Sequence, residues 1–186
     1  MTRAIVTGSI ADVMGKENVS LAEGFLHCDV MLLVDTSASM DQRDAPGGLS
    51  RHDAAQKELE HLQTSQPGKF SVVSFSNEAR FCPTGIPHRF NESTNMAGAL
   101  RFVKPADDCG IRFFLITDGE PNSESETLEV AKTFKSRIDV VYIGRENGRG
   151  RDFLQRLAAL TGGQSVKSKE IGMLAESVEM LLLAGA

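Results

Sequence analysis

The chain has 186 residues, 41% of them hydrophobic and 24% charged, with a net charge of -5 from 20 basic and 25 acidic side chains. That length holds one ordinary domain with a real core, not two large ones, and the composition excludes wholesale disorder. The acidic balance argues against a partner in nucleic acid or an anionic membrane surface. Three cysteines, Cys28, Cys82 and Cys109, contain no C-x-x-C pair, which argues against a disulfide framework or a thiolate zinc site and points to a reducing compartment.

In chain order, Ala4 to Ala11 are weakly apolar and are followed by Asp12, Lys16 and Glu17 before any signal-peptide core could form. At the other end, Met180 to Ala186 falls well short of the roughly 20 residues a bilayer span requires. The expectation is a soluble, cytoplasmic protein. Arg3 to Thr7 read as an extra strand, and Leu21 to Leu26 as the close of a short helix begun near Ser9. Residues 1–27 are therefore an N-terminal extension packed on a main domain of residues 28–186.

Cys28 to Val34 is a continuous apolar run ended by Asp35, as expected of a strand buried on both faces. Ser50 with Asp53 forms a capping box, and Ala55, Leu59 and Leu62 then repeat at helical spacing up to Pro67-Gly68. Phe70 to Phe75 is a second strand, and Asn77-Glu78 separates it from Ala79 to Cys82 as a hairpin, giving one antiparallel edge. Met96, Leu100 and Val103 mark a helix stopped by Pro105. Ile111 to Thr117 is another buried strand, followed by Asp118-Gly119, whose glycine suits a sharp turn. Leu128, Ala131 and Phe134 share a helical face, Ile138 to Ile143 is a strand, and Phe153, Leu154, Leu157 and Ala158 form a helix ended by Gly162-Gly163. A short strand at Gln164 to Lys167 precedes Ile171, Leu174, Ala175, Val178, Leu181 and Leu182 at helical spacing. This alternation predicts an α/β fold: a doubly wound, Rossmann-like, mostly parallel sheet with one antiparallel edge strand and helices on both faces.

Ligands of such sheets bind beyond the carboxyl ends of the strands. The two most apolar strands both end in an aspartate. Asp35 opens Asp35-Thr-Ser37-Ala-Ser39, and Asp118 follows Thr117; between them Thr94 stands immediately before a helix. Two carboxylates and three hydroxyls are hard oxygen donors of the kind that suit Mg²⁺, with Mn²⁺ or Ca²⁺ as alternatives. The competing reading of each piece alone is a helix cap or loop residue.

The D-x-S-x-S run, Thr94 in a T-x-M-x-x-A-L setting, and T-D-G after an apolar strand together resemble the von Willebrand factor type A domain over roughly Cys28 to Leu183. The resemblance implies a metal-ion-dependent adhesion site made of Asp35, Ser37, Ser39, Thr94 and Asp118. Ala38 stands where many relatives have glycine, and residues 1–27 lie outside the family pattern. The resemblance also implies a binding module rather than an enzyme. In the family's ligand-bound arrangement Thr94 is a direct ligand, one carboxylate retreats behind water, and a Glu or Asp of a partner protein completes the shell. Intracellular relatives commonly serve as adaptor or assembly subunits, often beside ATPases; neither nucleic acid nor membrane is expected as a partner of this chain. Because the site lies on loops above the core, Asp118→Ala and Thr94→Ala are expected to keep the wild-type circular dichroism.

Two alternatives stay open: a haloacid-dehalogenase-like phosphatase and a structural subunit with a vestigial metal site. The phosphatase needs a second carboxylate two residues after its nucleophile, where this chain has Ser37. Gly8 to Lys16 has six residues between its glycines and lacks the terminal Ser or Thr of a phosphate loop. His27, His52, His61 and His88 show no metal-ligand spacing, and His52 and His61 are expected on one helix surface. Arg145, Arg149 and Arg151 form a glycine-rich basic loop read as solvated, and Cys82 and Cys109 as buried or inert thiols.

Overall fold

The computed structural model describes residues 4–17, 20–26, 28–143, 150–167 and 173–183. Among these residues, six strands form one sheet: β1 (Val30–Asp35), β2 (Phe70–Phe75), β3 (Ala79–Phe81), β4 (Arg112–Thr117), β5 (Ile138–Tyr142) and β6 (Ser165–Lys167), in the order β3-β2-β1-β4-β5-β6. Every pairing is parallel except that of β2 with β3. Among the described residues, seven α-helices accompany it: α1 (Ile10–Glu17), α2 (Leu21–Leu26), α3 (Arg51–Ser65), α4 (Met96–Val103), α5 (Glu124–Ala131), α6 (Gly150–Leu160) and α7 (Leu174–Leu183). The doubly wound sheet with one antiparallel edge is thus the architecture observed.

The strands sort their side chains by alternation. Met31, Leu33, Val73, Phe75, Phe113, Leu115 and Val140 face a core closed by α1, α4 and α6. Val30, Leu32, Val34, Phe70, Val72, Phe114, Ile116 and Val141 face a second core closed by α3 and α7. All six residues of β1 are buried, as a strand covered on both faces requires.

Local chemistry explains where the helices begin. The Ser50 hydroxyl accepts the Asp53 N–H (3.0 Å) to start α3, Asn95 accepts the Gly98 N–H (2.9 Å) to start α4, and Ser123 accepts the Glu126 N–H (3.2 Å) to start α5. At the end of α6, Gly162 takes φ +74, and a Cβ on Gly163 would lie 2.1 Å from the Ile138 carbonyl, so neither position tolerates a side chain readily.

Several expectations need correction. Residues 4–7 form no strand; Val6 instead donates its N–H to the Thr84 carbonyl (3.0 Å). The single N-terminal helix expected from Ser9 to Leu26 is two helices, and Ile10 of α1 enters the first core. Helix α5 ends at Ala131, so Phe134 reaches the core from the following turn, edge-on to Phe113 with ring centroids 5.4 Å apart. Cys82 is buried as expected, whereas Cys109 is exposed. His52 is not on the helix surface: it is buried, with Nδ1 3.1 Å from the Arg89 guanidinium. Ile171, His27, Arg145 and Arg149 lie outside the described residues.

Leu33 sits fully buried in the middle of β1. Leu33→Ala should lower the unfolding free energy by about 2–5 kcal/mol in urea titration, through lost transfer energy and a cavity. Ser50→Ala should cost about 1 kcal/mol by removing the cap of α3.

Candidate functional site

The connection from β1 through α3 adds β2 on one side, and the connection through α4 returns to place β4 on the other. The order in which strands are added therefore reverses between the parallel neighbours β1 and β4, which pair Val30 with Arg112 through Val34 with Ile116. Ligand crevices of doubly wound sheets form at such a switch point. Asp35 ends β1 and Asp118 follows β4, so the register alone brings both carboxylates to one end of the sheet.

Asp35 is fully buried. Its Oδ1 accepts the Ser37 N–H (2.8 Å), and its Oδ2 accepts the Thr117 hydroxyl (2.6 Å) across the strand pair. Burial raises its pKa to about 6, against the opposing pull of the Thr117 and Ser37 hydrogen bonds. Thr117 also accepts the Gly119 N–H (3.2 Å). Gly119 is not among the glycines with positive φ, so this hydroxyl, rather than a left-handed glycine, holds the turn after β4.

A short 3₁₀ turn, Ala38–Asp41, aims the next donors. Ser37 Oγ lies 3.1 Å from Ser39 Oγ, and Ser39 Oγ donates to Asp118 Oδ1 (2.7 Å). Asp35, Ser37, Ser39 and Asp118 thus form one hydrogen-bonded run across two loops. Among the described residues, Thr94 makes no hydrogen bond to this run, and its backbone is held by Asn122. Its N–H donates to Asn122 Oδ1 (3.0 Å), and its carbonyl accepts the Asn122 N–H (2.9 Å). No hydrogen bond links the Thr94 side chain to another of the described residues.

The loops are tied to one another as well as to the sheet. Ala38 N–H donates to the Glu92 carbonyl (3.1 Å), and Asn91 N–H to the Thr36 carbonyl (3.0 Å). Ser76, just past β2, donates its hydroxyl to the Ser93 carbonyl (2.7 Å) and accepts the Glu92 N–H (3.1 Å). These bonds fix Thr94 relative to the first loop through the backbone.

Sequence reasoning missed one prominent member. Arg51, the first residue of α3, is buried, and its Nη1 donates to Asp118 Oδ2. Its Nε and Nη2 form a fork on Asp44, at 2.8 Å to Oδ1 and 2.6 Å to Oδ2. The hydrogen bond to Asp44, with that to Asp118, raises the guanidinium pKa further. No spacing rule marks Arg51, which reads as an ordinary residue of a helix start. Asn122 and Ser76 were missed for the same reason: their roles are contacts between loops.

Among the described residues, no three His, Cys, Asp or Glu side chains come together as a cation site. The cluster offers two carboxylates supplemented by hydroxyls, a hard-oxygen set whose chemistry fits Mg²⁺ with retained water.

No protein-family model and no curated protein matches the chain. Among solved structures, the fold is that of von Willebrand factor type A domains. A von Willebrand factor type A protein from Catenulispora acidiphila superposes with TM-score 0.64 at 19% identity, covering 81% of this chain and 41% of that one. An aerotolerance-related membrane protein from Bacteroides fragilis superposes with TM-score 0.65 at 15% identity, covering 84% and 99%. The manganese-loaded TRAP protein of Plasmodium vivax gives TM-score 0.60 at 17% identity, covering 85% and 74%. Among the described residues, no helix is long and apolar enough to cross a membrane.

The folded chain holds the Asp35 proton more tightly than the unfolded chain does. In the presence of chelator, that contribution to stability is complete below about pH 4 and is lost as the pH rises through about 6. The urea midpoint should therefore fall between pH 4.5 and pH 7.5, with a loss of about 2 kcal/mol in unfolding free energy. In Asp35→Asn this part of the pH dependence should vanish.

Proposed function

We propose that this chain is a protein-binding module of the type A class, with Mg²⁺ (Mn²⁺ or Ca²⁺ as alternatives) held by Asp35, Ser37, Ser39, Thr94 and Asp118. Its ligand is the carboxylate of a Glu or Asp on a partner protein. The observation that carries this reading is the continuous run from Asp35 through Ser37 and Ser39 to Asp118 at the switch point of the sheet. Bound there, the ion would supply an open coordination position for an anionic oxygen. Asp35 and Asp118 would supply the negative charge, the serines neutral donors, and Thr94 a hydroxyl not engaged by another of the described side chains. The manganese carried by the structurally similar TRAP protein supports a divalent cation in this fold.

The reading is non-enzymatic, with an adaptor or assembly role inside the cell. Ser37 stands where a phosphatase of the haloacid-dehalogenase kind needs its acid/base carboxylate. Cys28, Cys82 and Cys109 are all free thiols, in keeping with a reducing compartment.

Calorimetric titration should show Mg²⁺ binding that is lost in EDTA. Asp118→Asn should weaken it by about ten-fold or more, as expected when a ligating or ligand-orienting charge is removed. Thr94→Ala should keep the circular dichroism spectrum yet abolish Mg²⁺-dependent capture of a partner from the native host. Capture that persists in EDTA and in Thr94→Ala would make the chain a structural subunit. Turnover of generic phosphate esters that disappears in Asp35→Asn would favour the phosphatase instead.

A further inference from the structure

Arg51 is an unusual residue for its position. It opens α3 immediately after the Ser50 cap, where the positive end of the helix dipole disfavours a cation. Its side chain is only 7% exposed, and taking a guanidinium out of water is costly unless its donors are met. Each of its three nitrogens donates to one of two carboxylates from different loops. Asp44, 40% exposed, takes the fork of Nε and Nη2, and the fully buried side chain of Asp118 takes Nη1. The two oxygens of Asp118 are thereby divided: Oδ1 faces the Ser39 hydroxyl in the hydroxyl run, and Oδ2 faces Arg51.

We propose that Arg51 is a built-in competitor that regulates cation binding at this site, a proposal that rests on the metal reading above. Asp35, Asp44 and Asp118 carry three negative charges when ionised, and Arg51 offsets one of them next to the carboxylate the cation needs. A divalent ion must therefore share Asp118 with a charge that is covalently fixed and already desolvated. The arrangement raises the Mg²⁺ concentration at which the site loads. Asp44 acts from the other side: by holding two of the three guanidinium nitrogens, it draws the positive charge outward and limits the competition. The metal-free site, for its part, is stabilised by an ion pair instead of leaving Asp118 buried and unpaired.

The test is calorimetric titration of the full chain with Mg²⁺, on wild type, Arg51→Gln and Asp44→Asn, each checked by circular dichroism. Arg51→Gln should bind Mg²⁺ about ten-fold or more tightly, given the strength of a unit charge a few ångströms from a divalent ion. Asp44→Asn should bind it several-fold more weakly. A purely structural ion pair predicts the opposite for Arg51→Gln, because disturbing the site would loosen the ion. If Arg51→Gln is folded and binds equally or more weakly, the proposal is overturned while the metal reading stands. If Arg51→Gln does not fold, Asp44→Asn decides: unchanged or tighter binding overturns the proposal. Binding in Arg51→Gln but not in wild type would support the competition and remove the metal-loaded state from the unmodified chain. Binding in none of the three would overturn both readings.

Discussion

The parallel pairing of β1 with β4 is the constraint on which the rest of the carboxyl edge depends. Its register sets Val34 beside Ile116, so Asp35, one residue on, and Asp118, two residues on, emerge from neighbouring strands at the same end. The hydrogen bond from Thr117 to Asp35 then crosses the pair where the ladder stops and continues the sheet's own bonding into the site. A one-residue slip of either strand would turn its side chains to the opposite face, separating the aspartates and inverting both cores. Fold and site are therefore specified by the same hydrophobic pattern.

This joint specification removes the separation between an inert core and a freely mutable loop surface. Asp35 and Asp118 are buried, one hydrogen-bonded to the neighbouring strand and the other paired with Arg51. Truncating one partner of a buried charge pair leaves the other uncompensated, at a cost of about 3–5 kcal/mol. A substitution at Asp118 should therefore lower stability even where the fold is kept. Thr94 is different, because it is positioned by backbone bonds to Asn122 and its hydroxyl can be removed without breaking them. In this cluster, charge ties function to folding, while the hydroxyl is separable from it.

What could be read from the sequence followed the range of the interaction. Phe70 to Phe75 is a strand at the residues its apolar run predicts, and Ser50 caps α3 as its spacing with Asp53 predicts, because both depend on neighbours in sequence. Asp35, Ser37 and Ser39 were visible as one short motif, and Asp118 as the residue after an apolar strand. Arg51 was not visible, since its meaning lies in Asp44 and Asp118, seven and 67 residues away. His52 was misplaced on the surface for the same reason: α3 is covered on that side by Arg89, from a loop the helical pattern does not reveal. Phe134 looked like one more turn of α5, yet it packs after the helix has ended, because contact with Phe113 does not require helical backbone.

The segment ahead of β1 has a further consequence. Phe25 of α2 rests on Phe81 of β3 at 4.8 Å between ring centroids, and the N–H groups of Val6 and Ala11 bond to the carbonyls of Thr84 and Pro83 just beyond that strand. The extension thus leans on the antiparallel rim of the sheet, where a strand has unsatisfied backbone groups along its outer side. A fragment trimmed to start at β1 would keep every proposed ligand but lose Ile10 from the core and uncover Phe81. Such a fragment would be prone to pair with another copy through the bared rim, and self-association would be its characteristic failure, with the ligand set still in place.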